Sequence, residues 1–182
     1  MRLVLEGPDG GGKTGLRDRL LAQYSNMKLM DRACTSEDGP LENLVDWVNL
    51  DLDMDSPDLS HQLYDRHPLI SELIYSPSMG REMPPEFQDV DWLTDAWATF
   101  RRHPYIIIWC MPSRQTVIDN VKATHLAETE HQHGVVDHIG AIYDLYHIQM
   151  CREVLYTGRL RWNYEVDMFQ TLVNQLNTWM GI

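Results

Sequence analysis

Gly7-Pro8-Asp9-Gly10-Gly11-Gly12-Lys13-Thr14 reads G-x-x-x-x-G-K-T and begins six residues into the chain. The pattern has a narrow chemistry. Its glycines let backbone N–H groups curl around a phosphate chain, the lysine neutralises the outer phosphates, and the threonine hydroxyl ligates Mg²⁺. The flanks supply the context such a loop requires. Met1-Arg2-Leu3-Val4-Leu5-Glu6 is a short apolar strand entering the loop. A helix follows it, with Leu16, Leu20, Leu21 and Tyr24 on one face. A glycine-rich turn that matched by chance would lack both flanks. Residues Gly7 to Thr14 are therefore expected to hold ATP, with Thr14 on Mg²⁺.

Working outward, 182 residues suffice for one domain, 1–182, with an ordinary core. The chain is 43% apolar and 23% charged, which places it among folded globular proteins. The longest apolar run, Tyr105 to Met111, is far shorter than a membrane span and reads as a buried strand. With no leader ahead of the first strand, a cytoplasmic location is expected, the host cytoplasm if the source is viral. Cys34, Cys110 and Cys151 show no C-x-x-C spacing and are odd in number, so reduced structural thiols are expected. The net charge of −12, without a basic stripe, weighs against a nucleic-acid partner and is compatible with a small charged substrate. Acidic residues crowd the stretch from Glu37 to Asp58, Asp46, Asp51 and Asp53 among them, and read as a solvated face.

Apolar β-rich runs alternate with helical patterns, the signature of an α/β chain whose parallel sheet is covered by helices on both faces. Five strands are expected, at Leu3–Glu6, Lys28–Met30, Gln62–Asp65, Tyr105–Met111 and Leu160–Tyr164. Helices are expected after the glycine-rich loop and around Leu41–Leu50, Pro68–Tyr75, Asp91–Arg102, Gln115–Ala127, Gly140–Tyr156 and Met168–Trp179. In the last of these, Met168, Leu172, Leu176 and Trp179 recur at helical spacing and read as core. Asp51–Ser60 and Ser76–Gln88 carry prolines and polar residues and read as loops. The polar run Thr129–Gly134 lies between two helices, as a mobile lid would, and the lid as a whole is placed at roughly 123–137.

Tyr64-Asp65-Arg66-His67 closes the third strand. Ligand groups gather at the carboxyl ends of strands in open α/β sheets, so Asp65 and Arg66 should face the loop across a site. A carboxylate there can hold Mg²⁺ through water, and an arginine can grip a phosphate with paired N–H bonds.

Together these blocks form a known pattern. Glu6-Gly7-Pro8-Asp9-Gly10-Gly11-Gly12-Lys13-Thr14 resembles the opening of thymidylate kinases, E-G-x-[DE]-x-x-G-K-[ST]. Asp65-Arg66-His67-Pro68-Leu69-Ile70-Ser71 resembles their D-R-[YH]-x-x-S segment, and Tyr105 to Pro112 resembles their fourth strand and its terminal proline. The resemblance implies a three-layer α/β/α P-loop kinase fold. It also implies phosphoryl transfer from ATP, with Mg²⁺, to a deoxynucleoside monophosphate (dTMP or a modified pyrimidine), and a homodimer. Lys13 and Thr14 would then serve ATP and metal, and Asp9 the acceptor's sugar hydroxyl. Asp65 would organise the metal, and Arg66 would hold the acceptor phosphate. Arg32, beside the degraded segment Arg32-Ala33-Cys34-Thr35-Ser36, and Ser71 and Glu72 would be further acceptor contacts. The compact chain and its degenerate motifs point to a divergent, phage-type origin.

The pattern breaks at one place. Thymidylate kinases bring an extra arginine from the loop or the lid, and this chain has none at either. The loop's variable positions are Pro8, Asp9, Gly10 and Gly11, and residues 122–133 offer one lysine and three histidines. An arginine at the transferred group is typically worth about 10³–10⁵ in rate. Lys122, Arg17 and Arg114 are the candidate replacements. Carboxylates are plentiful near the expected acceptor pocket (Glu6, Asp9, Glu37, Asp38 and Asp65), and a hydroxyl acceptor wants such a base. A deoxynucleoside kinase, or a kinase of a hydroxyl on a modified nucleoside or DNA base, is therefore the alternative enzyme. A regulatory nucleotide-binding module is the non-enzymatic one.

Overall fold

The computed structural model describes residues 2–30, 44–53, 61–127, 133–153, 156 and 158–181. Five strands, β1 (Arg2–Glu6), β2 (Met27–Leu29), β3 (His61–Asp65), β4 (Tyr105–Cys110) and β5 (Arg159–Trp162), form one parallel sheet in the order β2-β3-β1-β4-β5. Every residue of β1 and β4 is buried, which explains their unbroken apolar reading: a central parallel strand is covered on both faces.

Alternation along the strands sorts the core into two halves. Leu3, Leu5, Leu63, Ile106 and Ile108 face α1 (Lys13–Gln23) and α7 (Phe169–Met180). Val4, Tyr64, Ile107 and Trp109 face the opposite layer. That layer is built from α2 (Leu44–Asp53), α3 (Pro68–Ser78), α4 (Val90–Arg102), α5 (Arg114–Ala127) and α6 (His133–Glu153). The chain after β1 enters α1 on one face, and after β3 it enters α3 on the other. This parting opens a crevice at the carboxyl ends of β1 and β3, where α/β sheets place their ligands. Leu5 pairs with both Asp65 and Ile108 in register, so these strand ends are level.

Several expectations shift. α2 runs on through Asp53, and Asp51 is buried rather than part of a solvated acidic face. Its carboxylate accepts hydrogen bonds from Tyr64 and Tyr105, which compensate its loss of water. α6 starts at His133, because Val135, Val136 and Ile139 carry the core-facing stripe of Ile142 and Tyr146 N-terminally past Gly140. α7 buries Leu172, Val173 and Leu176, whereas Met168 precedes the helix as its N-cap and is exposed, and Trp179 stays 41% exposed. The segment expected as a loop at Ser76–Gln88 contains the end of α3 and a short 3₁₀ turn, Pro85–Gln88. Of the expected lid, 123–127 close α5 and 133–137 open α6, while 128–132 lie outside the described residues. No helix among the described residues is long and apolar enough to cross a membrane.

Candidate functional site

The loop from Gly7 to Gly12 joins β1 to α1. Contact disfavours a side chain at every glycine of the loop, most sharply at two. A Cβ on Gly7 would collide with the Cys110 carbonyl. Gly12 has φ 83° and lies beneath the Tyr164 ring, where a Cβ would come within 2.6 Å of a ring carbon. The amino end of α1 opens onto the loop, leaving its first N–H groups and the positive end of the helix dipole for an anion. Lys13 is buried, and its Nζ donates to the carbonyls of Pro8 (2.7 Å) and Gly7 (3.0 Å). Burial, with Arg66 nearby, brings its pKa down to about 8 against the pull of Asp9 and Asp65.

Asp9, Lys13, Thr14 and Asp65 line a cavity of about 430 Å³, walled on the far side by Asn120 and Thr124 of α5. Sequence reasoning missed Asn120. Its amide donates to the Gly10 carbonyl (2.9 Å) and to the Tyr164 hydroxyl (2.7 Å), tying the loop to α5 and to the segment after β5. No local motif marks it, because its partners lie 110 and 44 residues away. Thr14 and Asp65 offer hard oxygens to one cavity, a donor set that suits Mg²⁺. Of the three candidate replacement cations, Arg17 alone touches a cavity residue, with Nη1 3.5 Å from Asp65 Oδ2. Arg114 pairs instead with Asp144 on α6, and Lys122 is exposed on α5.

Arg66 crosses from β3 to the loop. Its Nη2 donates to Asp9 Oδ1 (2.5 Å) and to the Tyr75 hydroxyl (2.7 Å), and its guanidinium lies over the Tyr75 ring at 4.5 Å. Its buried Nε has no hydrogen-bond partner among the described residues. Tyr75 also accepts from the Asp9 backbone N–H at 2.9 Å, so one phenol orients both halves of the pair. Burial opposes ionisation of Asp9, but Arg66 and Lys13 outweigh it and hold the carboxyl at about 2. Asp9 and Arg66, read separately in the sequence, thus form one ion pair. Tyr75 was legible only as a polar-tipped residue on a helix whose neighbours, Ile70 and Ile74, are core. Ser71 turns back to the His67 carbonyl (3.2 Å), and buried Glu72 accepts from Ser76 (2.9 Å). Arg32 lies outside the described residues.

Glu6, at the end of β1, is sealed from solvent. It accepts from the His67 backbone N–H (2.6 Å) and the Tyr146 hydroxyl (3.2 Å), and burial pushes its pKa up to about 7. In the unfolded chain it would titrate near 4.5. Its contribution to stability is therefore full below the unfolded value and is lost as pH rises through about 7. Glu6→Gln should remove this slope. The thermal stability of the variant relative to the parent should improve between about pH 5 and pH 8 by on the order of 2 kcal/mol. Parallel melting curves would refute the assignment.

No protein-family model matches the chain, and no curated protein sequence matches it. Solved structures do. The Bacillus subtilis YorR protein, in complex with phosphorylated GDP, matches with a TM-score of 0.67 at 15% identity, over 100% of this chain and 96% of that one. Deoxyadenosine kinase from M. mycoides with bound dATP matches with a TM-score of 0.58 at 12% identity, over 97% of this chain and 100% of that one. The same enzyme with bound dCTP gives 0.52 at 15% identity, over 98% and 100%. At such identities the likeness speaks for architecture. This chain has the P-loop kinase fold.

Proposed function

We propose that the protein is an ATP-dependent phosphotransferase acting on a deoxynucleoside monophosphate, with thymidylate-type pyrimidine nucleotides as the first acceptors to test. One observation carries this reading: Asp9, which lines the same cavity as Lys13 and Thr14, is paired with Arg66 from the end of β3. A site that only held nucleotide would need the loop and not a second polar anchor facing it.

Thr14 and, through water, Asp65 would hold Mg²⁺, which when bound neutralises charge on the donor phosphates. Lys13 leaves the loop carbonyls for the β- and γ-phosphates. Arg66 takes the acceptor phosphate, using the Nε donor that has no partner among the described residues, and Asp9 turns to the sugar hydroxyl. An acceptor phosphate oxygen then bonds to the γ-phosphorus as the bridging bond to the β-phosphate breaks, and ADP leaves. A monophosphate arrives ionised, so no base is needed. Arg17, beside Asp65, is the cation this reading assigns to the transferred group. Arg17→Ala should lower kcat by about ten- to a thousandfold, with both KM values near the parent's and partial recovery in Arg17→Lys. An unchanged kcat would move that role elsewhere.

A second reading, a hydroxyl acceptor, is favoured by the charge balance. Arg66, the arginine this reading gives to the acceptor, is neutralised by Asp9, and a carboxylate so placed could serve a hydroxyl. A single assay separates the readings. The protein is incubated with ATP and Mg²⁺ against deoxynucleosides, their monophosphates and DNA, and phosphate transfer is followed. Turnover of monophosphates is expected. Transfer to nucleosides or DNA alone would establish the second reading, and ATP binding without any transfer would leave a nucleotide-binding module.

A further inference from the structure

Behind the acceptor side lies a polar cluster that the proposed chemistry leaves unused. His67 is completely buried, and its polar atoms are all engaged. Its backbone N–H donates to Glu6 Oε1 (2.6 Å), and its carbonyl accepts from the N–H groups of Ile70 (2.9 Å) and Ser71 (3.0 Å). The ring Nδ1 accepts from the Leu69 N–H (3.2 Å) as the N-cap of α3, and Nε2 lies 3.2 Å from Asp51 Oδ2. These contacts select one tautomer. Nδ1 must be the bare nitrogen, so Nε2 carries the proton and donates to Asp51. Asp51 is itself held by the hydroxyls of Tyr64 (2.7 Å) and Tyr105, and its backbone carbonyl by Arg2 (2.9 Å).

The preceding residue makes this arrangement consequential. Arg66 is the one non-glycine residue among those described with positive φ, at 72°. A left-handed conformation is unfavourable for an L-residue, and it persists only where the surroundings over-determine it. Arg66 is clamped on both sides: its own N–H donates to the Leu5 carbonyl (3.0 Å), and its successor is the immobilised His67. The left-handed turn is what sends the guanidinium back over Tyr75 to Asp9 while the backbone departs into α3.

We infer that Asp51 and His67 are positioning residues: the α2 carboxylate, acting through the His67 imidazole, holds the strained turn that aims Arg66 at Asp9. The inference rests on Arg66 as an acceptor-side residue. It joins the acidic stretch of the sequence to the site through a residue, Asp51, that no motif singles out.

His67→Asn and Asp51→Asn test it. Asparagine at 67 can still cap α3 through its side-chain oxygen but cannot reach Asp51, so the cap and the link are separated. His67→Asn should lower kcat/KM for the acceptor by about ten- to a hundredfold while KM for ATP stays within about twofold. Asp51→Asn should act in the same direction, and the double variant should be no worse than His67→Asn alone, as members of one chain behave. Parent-like acceptor kinetics, equal losses for donor and acceptor, or additive losses would overturn the inference. Should the parent transfer phosphate to no acceptor, the functional reading falls, and crystal structures of parent and variants decide the positioning question alone. Loss of positive φ at Arg66, with its guanidinium withdrawn from Asp9, supports it; an unchanged turn in the variants overturns it. If His67→Asn does not fold, Asp51→Asn carries both measurements.

Discussion

Lys13→Ala is expected to lower kcat/KM for ATP by at least about thirtyfold, and to weaken binding of a fluorescent ATP analogue to match. Removing one partner of a desolvated, charge-assisted contact costs about 2–5 kcal/mol, and the lower bound corresponds to that factor. Lys13 meets the condition. It is buried at the base of the loop, and its hydrogen-bond partners among the described residues are two carbonyls that a triphosphate can replace as acceptors. Its pKa, brought down by burial to about 8, adds a pH signature. In the free protein the cation is lost as pH rises through that value, so kcat/KM for ATP should fall there. Undiminished ATP binding by Lys13→Ala would refute the phosphate-loop assignment.

Arg66→Ala should lower kcat/KM for the acceptor by a similar factor, at least about thirtyfold, and leave ATP binding largely intact. The guanidinium is nearly enclosed, with 11% of its side chain exposed, and it holds Asp9 and Tyr75 at once. Its removal leaves Asp9 with Lys13 as its neighbouring cation and takes one of the two donors from the Tyr75 hydroxyl. Arg66→Lys should recover little. A point charge cannot reproduce the planar stack on Tyr75 together with the paired N–H geometry a phosphate uses. Steady-state kinetics with each substrate varied separates the two sides. If ATP binding collapses along with the acceptor, Arg66 belongs to the donor.

The fold was legible wherever one strand or helix face carries its own signal. β4 and the Leu3–Leu5 centre of β1 are apolar because both faces are covered, and the loop between β1 and α1 has a composition few other structures need. The start of α6 was less so, since Gly140 interrupts a stripe that Ile139 and Ile142 in fact continue. Within the site, Lys13, Thr14, Asp65 and Arg66 could be placed because strand ends collect ligand groups. The residues that support them could not. Tyr75, Tyr146, Asn120 and Tyr164 are ordinary in type and act across 44 to 140 residues through a single hydroxyl or amide. Asp51 even carried a misleading signal, since its acidic neighbours made it look solvated.

By itself, then, the order of residues determined the α/β class, the glycine-rich loop between strand and helix, and the strand end that stands level with it. These depend on periodicity and on backbone geometry that only certain residues tolerate, and both are local. The tertiary structure decided what each charge is for. It paired Asp9 with Arg66, brought Arg17 to Asp65, sealed Glu6, and buried Asp51 against His67. Those outcomes depend on distance and on the water excluded between groups far apart in the chain, and electrostatic energy follows that geometry rather than sequence spacing.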